Sequence, residues 1–216
     1  MDRSAVLLPV DQSEAPGQED FQIELNKLNG TPIIERVAST IGALVDEVII
    51  VADSEKHSED YARFVSPDVK IIVNSKEKNG SLSNAQAGFK ISNGKYCLLS
   101  SLEFVLVSPN IVDLFFDLCQ GKTAVIPRWP NQQLETLQAV YHVKTALEAG
   151  KLAIERGKYD LEAMVEHMSG VRYISTLALQ EFDPELKTLF RARTQVDLRM
   201  AENLSKPRRI KPSKKR

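Results

Sequence analysis

Short apolar runs alternate with amphipathic segments along most of this chain. Six compact runs predict strands, at residues 5–10, 48–52, 69–73, 95–100, 123–126 and 138–143. Segments with apolar residues at spacings of three and four predict helices between them, at 31–44, 54–64, 82–92, 108–119, 144–156 and 160–168. Several of the strand runs are rich in β-branched residues, which is typical of buried parallel strands. The alternation predicts an α/β fold, a three-layer and mostly parallel sheet with helices on both faces.

Local signals add detail at both ends of this pattern. Thr31-Pro32 and Ser108-Pro109 each place a capping residue before a proline, which predicts two helix starts. Residues 171–175 predict an edge strand, and 197–204 predict a last short helix. We therefore expect one domain over residues 1–204, followed by a basic, disordered tail over 205–216.

The predicted sheet also predicts where a ligand binds. In open α/β sheets, ligands lie outside the carboxyl ends of the strands. The segments that follow those ends are 9–17, 74–83, 101–108 and 127–135. We expect the functional residues in these four segments.

Charge is distributed unevenly along the 216 residues, whose net charge is only −1. The last 12 residues, SKPRRIKPSKKR, contain seven basic residues and no acid, whereas the remaining 204 carry a net charge of −8. The tail is predicted to be a solvated end or a contact for a protein partner. It has no interleaved aromatic residues for base stacking, which argues against nucleic acid.

The apolar content predicts a cytoplasmic protein. No apolar run approaches the ~18 residues of a membrane span, and the first residues lack the features of a signal peptide. Cys97 and Cys119 lie inside apolar segments and match no metal spacing, so we expect both to be buried and reduced.

Four segments resemble the molybdenum cofactor guanylyltransferases, a family of nucleotidyltransferases. Residues 28–52 resemble that family's "GxPLLERV…deVvvva" segment, and 80–89 resemble its "GPLAGLLAGL" segment. Residues 124–142 (AVIPRWPNQQLETLQAVYH) resemble "AVVPRxxGRxEPLxAVY", and 197–203 resemble the end of "NTPEDLxxAE". The resemblance covers about 200 residues in the family's order. It implies the Rossmann-like nucleotidyltransferase fold, with GTP and molybdopterin as substrates and Mg²⁺ as the metal of an active member.

The chain departs from the family at the phosphate-binding loop. The family has "LAGGxSxRMGxxK" there, and this chain has LPVDQSEAPGQED at 8–20, with four acids and no base. Acids near a triphosphate repel it, and Pro9 removes one backbone donor. The resemblance nevertheless implies a nucleotide-binding set in this loop and at the third helix: Pro9, Val10, Ser13, Gly17, Asn79, Gly80 and Leu82.

The implied metal site also differs from the family pattern. An Asp of the family binds magnesium after the fourth strand, and Glu103 stands in that place here. The family's second polar contact is an Asn, which Arg193 replaces. Glu103 is therefore predicted either to bind Mg²⁺ or to be a solvated loop acid.

The implied substrate side is better preserved. Arg128 and Glu135 flank the WPNQQ turn, where the family recognises its substrate, and they are predicted to bind it or to be surface residues. Trp129 is the only tryptophan, and it is predicted to stack on a pterin or to anchor the loop on the sheet.

Three functions stay open at this point. The chain could be a guanylyltransferase, or a non-catalytic relative that binds a nucleotide, a pterin or a protein partner. It could also be a nucleotidyltransferase with another small phosphorylated acceptor.

Overall fold

A seven-stranded sheet lies between two layers of helices in the computed structural model, which describes residues 2–10, 22–75 and 80–206. Short 3-10 turns occupy Ile23–Leu25 and Lys187–Leu189. In chain order the strands and helices are β1 (Arg3–Leu8), β2 (Lys27–Leu28), β3 (Thr31–Pro32), α1 (Ile33–Gly42), β4 (Glu47–Ala52), α2 (Glu55–Ala62), β5 (Lys70–Val73), α3 (Ser81–Ile91), β6 (Tyr96–Ser101), α4 (Pro109–Cys119), β7 (Ala124–Arg128), β8 (Ala139–His142), α5 (Val143–Glu155), α6 (Leu161–Glu166), β9 (Val171–Ser175), α7 (Thr176–Leu179) and α8 (Gln195–Ser205).

The sheet has the strand order β5-β4-β1-β6-β8-β7-β9. Its strands are parallel except β8, which runs antiparallel between β6 and β7. The predicted mostly parallel three-layer α/β fold is confirmed, and residues 171–175 form the predicted edge strand. Because β6 and β7 point the same way, their carboxyl ends lie at one edge of the sheet together with that of β1.

Two hydrophobic clusters cover the two faces of the sheet. Residues alternate between them along each strand, so that Ala5 and Leu7 face one cluster while Val6 and Leu8 face the other. Helices α1, α4 and α8 pack on the first face, and α3, α5 and α6 pack on the second.

Both cysteines are buried, as the sequence predicts. Burial raises the pKa of the Cys97 thiol and of the Cys119 thiol to about 12, so neither is a reactive thiolate at neutral pH.

One predicted helix start is wrong. Thr31 and Pro32 form β3, which pairs with β2 in a two-residue hairpin, and α1 begins at Ile33. Asn29 and Gly30 make the turn with φ angles of 52° and 87°, the left-handed conformation that an Asn-Gly hairpin needs. Ser108-Pro109 does begin α4, although the Ser108 side chain makes no capping hydrogen bond.

The end of the last helix lies close to the predicted domain boundary. Helix α8 continues to Ser205, one residue past the expected boundary at 204, and the described residues end at Lys206. The predicted basic tail lies outside the described residues beyond that point.

Helix α3 approaches β1 very closely through Gly88. A Cβ atom at Gly88 would lie 2.4 Å from Cγ1 of Val6, a stiff β-branched side chain with no exposed surface. Only the absence of a side chain allows the helix to lie against the central strand at this point.

We predict that Gly88→Ala destabilises the fold by about 1–3 kcal/mol, because overpacking outweighs the ~1 kcal/mol that alanine gains in a helix. Gly42→Ala is the matched control, since its added Cβ would lie 3.6 Å from Cγ2 of Val48, an ordinary contact. Urea denaturation of both variants measures the difference. Equal midpoints would contradict the close approach of α3 to β1.

Candidate functional site

The carboxyl end of β6 carries a buried acid. Glu103 follows the strand by two residues, and only 1% of its surface is exposed. Its backbone is held in place, because its N–H donates to Oγ of Ser101 at 3.3 Å and its carbonyl accepts from the N–H of Ala192 at 2.8 Å. The second bond joins the end of β6 to the segment that precedes α8.

Two arginines from that segment bind the Glu103 carboxylate. Nη1 of Arg191 lies 2.6 Å from Oε1, and Nε of Arg193 lies 2.5 Å from Oε2. Nη2 of Arg193 also lies 3.5 Å from Oε1. Both carboxylate oxygens of Glu103 therefore accept hydrogen bonds from guanidinium groups.

Arg191 joins this acid to a second one. Its Nη2 donates to Oε1 of Glu135, which is buried beyond the end of β7. Its guanidinium carbon lies 4.9 Å from the ring centroid of Phe104, in a cation–π arrangement. Glu103, Glu135, Arg191 and Arg193 are called the arginine–glutamate cluster from here on.

The acids of the cluster are more deeply buried than its arginines. The side chains of Glu103 and Glu135 are 2% and 6% exposed, whereas those of Arg191 and Arg193 are 30% and 23% exposed. Burial raises the pKa of the Glu135 carboxyl, and the Arg191 guanidinium opposes that rise. The acids lie beneath, and the two guanidinium groups lie closer to solvent.

The start of α8 holds Arg193 in place. Its backbone N–H donates to Oδ2 of Asp197 at 3.0 Å, and Thr194 and Asp197 form a reciprocal capping box. Asp197 is thus a helix-start residue, and it fixes the backbone of Arg193 just before α8 begins.

The turn after β7 brings Glu135 back over the sheet edge. The N–H of Trp129 donates to the carbonyl of Gln133 at 2.9 Å, and the N–H of Glu135 donates to the carbonyl of Pro127 at 2.9 Å. Trp129 is half-buried against the first hydrophobic cluster. Arg128 is exposed, with its guanidinium carbon 5.2 Å from the Tyr173 ring centroid. Of the residues predicted on the metal and substrate sides, Glu103 and Glu135 meet through Arg191.

The predicted nucleotide side is described only in part. Pro9 and Val10 follow β1 and are half-buried. A Cβ at Gly80 would lie 2.3 Å from the Tyr159 carbonyl oxygen, and Leu82 is fully buried in the core. Packing therefore accounts for Gly80 and Leu82, and a ligand contact from either stays a prediction. Three further residues lie outside the described residues, namely Ser13, Gly17 and Asn79.

Other titratable groups gather at the end of β4. The hydroxyl of Tyr61 donates to Oε1 of the buried Glu24 at 2.5 Å, and burial raises the pKa of that carboxyl. His57 pairs with Asp53 and stacks on Tyr61. These groups are separated from the arginine–glutamate cluster by strand β1 in the sheet order.

A family model matches a large part of this chain. The model of the MobA-like NTP transferase domain matches residues 24–171, more than half of the chain. The chain belongs to this family. The resemblance drawn from the sequence segments is thereby confirmed.

Individual relatives agree with the family assignment. The chain is 32% identical to the probable molybdenum cofactor guanylyltransferase of Methanosarcina mazei over 200 residues, covering 91% of this chain and 88% of that one. It is 28% identical over 201 residues to the protein of the same name from Methanosarcina acetivorans, with the same coverage.

A solved structure confirms the nucleotidyltransferase fold. It is that of molybdopterin-guanine dinucleotide biosynthesis protein A from Archaeoglobus fulgidus, with a TM-score of 0.75 and 22% identity. The similarity covers 94% of this chain and 97% of that one.

In the described part of the chain, no helix is long and apolar enough to cross a membrane.

The metal expected for the family does not fit at Glu103 in this arrangement. Magnesium demands near-octahedral oxygen ligation at about 2.1 Å, whereas both Glu103 oxygens are bound by guanidinium groups. A dication placed there would also stand beside two fixed positive charges. Among the residues that the structure describes, no group of three or more His, Cys, Asp or Glu side chains could hold a metal ion.

Arg191 is the residue of the candidate site that the sequence analysis misses. It belongs to no family motif, and its partners lie 88 and 56 residues away in the chain. A signal is present nonetheless, because Arg191 and Arg193 lie two positions apart on either side of one apolar residue just before the last helix. That residue, Ala192, is buried in the first hydrophobic cluster.

We predict that Arg191→Met destabilises the fold by about 3 kcal/mol at pH 8, because it leaves a buried carboxylate without its partner. Arg3→Met is the matched control, since Arg3 also bridges two acids and stacks on a phenylalanine, Phe116. The acids that Arg3 bridges, Asp113 and Asp117, are 48% and 64% exposed, so we expect the control to lose at most about 1 kcal/mol.

The loss of folding stability in Arg191→Met should depend on pH. The folded-state pKa of Glu135 lies above its unfolded value of 4.5, and loss of Arg191 raises it further. A carboxyl with a raised pKa loses stability as pH rises through that window. The deficit of Arg191→Met in urea denaturation should therefore shrink at pH 5, and a deficit that grows on acidification would contradict the assignment.

Proposed function

We propose that this chain transfers a guanylyl group from GTP to molybdopterin, since its relatives are named as molybdenum cofactor guanylyltransferases. The observation that carries the proposal is the 32% identity to a probable molybdenum cofactor guanylyltransferase across 91% of the chain. Because this match spans nearly the whole chain, it supports shared ligands rather than a shared fold alone.

In the proposed reaction, one P–O bond forms and one breaks. A phosphate oxygen of molybdopterin attacks the α-phosphorus of GTP, and a new P–O bond forms between them. The bond from the α-phosphorus to the β-phosphate oxygen breaks, and pyrophosphate leaves with its electron pair. The products are the molybdopterin–guanine dinucleotide and pyrophosphate, and the protein's part is positioning and charge stabilisation.

The proposed binding cleft is the sheet edge at the carboxyl ends of β1, β6 and β7. GTP would lie over the segment after β1 and the start of α3. Molybdopterin would lie over the turn after β7, where Arg128 is exposed and Trp129 presents its remaining surface. The arginine–glutamate cluster lies between these two sides, where Glu135 reaches back from the turn to Arg191.

Magnesium enters this proposal only with the nucleotide. A catalytic family member is expected to use Mg²⁺ to offset phosphate charge, and a nucleotide can bring that ion on its own phosphates. Because the Glu103 oxygens are bound by arginine, no step is assigned to a metal held by this chain.

A second candidate is a non-catalytic member that keeps the fold and binds a nucleotide, a pterin or a protein partner. It is favoured by the loop at 8–20, which has four acids where the family has glycines, Arg and Lys. Four like charges near a triphosphate oppose tight GTP binding, which is the first step of catalysis.

One incubation separates the candidates. Purified protein, GTP, Mg²⁺ and molybdopterin are mixed, and pyrophosphate and the dinucleotide are quantified by coupled assay and mass spectrometry. We expect stoichiometric formation of both products. Absence of both products, together with calorimetric binding of GTP or of molybdopterin, would support the second candidate. Failure to bind either ligand would overturn the proposed transfer.

A variant locates the acceptor side. Arg128→Gln removes an exposed cation from the proposed molybdopterin surface, so we expect the KM for molybdopterin to rise about tenfold with the KM for GTP unchanged. Arg63→Gln is the control, because Arg63 is an exposed, ion-paired arginine at the far end of α2. A change confined to the KM for GTP would contradict this placement.

A further inference from the structure

The arginine–glutamate cluster places two guanidinium groups at the metal site that the family resemblance implies. By the family resemblance, Glu103 and Arg193 occupy the positions of the two protein groups that contact magnesium. In the structure the Nε of Arg193 lies 2.5 Å from Oε2 of Glu103. Arg193, at the position of one implied metal contact, is therefore a cation that binds Glu103, at the position of the other.

The cluster lies after the carboxyl end of β6, and its two guanidinium groups are more exposed than its two acids. The two acids are nearly fully buried, and the two guanidinium groups lie between them and solvent. A guanidinium has five N–H donors in one plane, and Arg191 directs two of them to Glu103 and Glu135. Guanidinium groups bind carboxylates and phosphates with the same donor geometry.

We propose that Arg191 and Arg193 supply the N–H donors that bind the ligand's phosphate groups, so that phosphate binding needs no divalent cation. This inference rests on the proposed function in placing those phosphates at the carboxyl ends of β1 and β6. It places the cations on the segment before α8, whereas the family has its Arg and Lys in the loop after the first strand.

The loss of basic residues at 8–20 supports this relocation. That loop contains no Lys or Arg, and its four acids would repel a phosphate chain that lies along it. Arg191 and Arg193 stand on a segment fixed by the Ala192–Glu103 backbone bond and by the α8 capping box. Preorganised cations of this kind stabilise an anion without a reorganisation cost.

Substitution of Glu103 distinguishes an arginine site from a metal site, because the two sites predict opposite changes in anion affinity. With both acids ionised, the cluster's two positive and two negative charges cancel, and Glu103→Gln leaves a net positive charge. If the arginines meet the phosphates, this variant binds an anion more tightly. If Glu103 holds a metal, the same variant binds the anion more weakly, and only in the presence of that metal.

The experiment titrates inorganic pyrophosphate calorimetrically into the full chain, once in EDTA and once in Mg²⁺. We expect wild-type binding in EDTA, tightened about tenfold by Glu103→Gln, since the change removes one like charge near the site. Arg193→Gln should weaken binding about tenfold or more, with Arg63→Gln unchanged as the exposed control.

Folding is controlled separately. Circular dichroism and thermal unfolding accompany each titration, and Arg193→Lys keeps the charge but loses the planar fork. We expect Arg193→Lys to bind pyrophosphate with an affinity between those of wild type and Arg193→Gln. It provides the test if Arg193→Gln does not fold.

Two results would overturn the proposal. Pyrophosphate binding that requires Mg²⁺ and disappears in Glu103→Gln would restore Glu103 as a metal ligand. Absence of pyrophosphate binding in both buffers would make the cluster a structural ion pair only. Neither result decides the proposed transfer, which is read from the dinucleotide product, so the two failures are distinguishable.

Discussion

The guanidinium of Arg191, held between Glu103 and Glu135, ties together the three parts of the candidate site. Glu103 follows β6, Glu135 returns from the turn after β7, and Arg191 precedes α8, so one side chain joins elements that are far apart in sequence. Two buried carboxylates at this position would be strongly destabilising without a partner. The loop after β6, the turn after β7 and the start of α8 can therefore keep their places only together.

The fold follows from local patterns, and for that reason the sequence predicts most of it. Compact β-branched runs at 48–52 and 69–73 become adjacent parallel strands, and the apolar spacing at 108–119 becomes α4. The hairpin at β2 and β3 is missed because Thr31-Pro32 also fits a helix start, although the Asn29-Gly30 turn is a strong hairpin signal. The antiparallel direction of β8 is not visible in an apolar run, since a strand's pattern is the same in either direction.

The candidate site is predicted less completely, because its chemistry depends on contacts between distant segments. Glu103 and Glu135 can be picked out by their places in a motif, yet nothing local shows that one arginine binds both. The sequence does show that Arg193 replaces a polar metal contact and that the loop at 8–20 lacks bases. In the proposed account, fixed arginines on the segment before α8 make the phosphate contacts that the family makes with its loop and its metal.

Crystals grown with Mn²⁺ and pyrophosphate test this account most directly. Manganese prefers the same oxygen ligands as magnesium and gives an anomalous signal that marks its position. The account predicts pyrophosphate oxygens within hydrogen-bond distance of Arg191 and Arg193, and no manganese peak within coordination distance of Glu103. A manganese peak on the Glu103 carboxylate, with Arg193 displaced from it, would contradict the account.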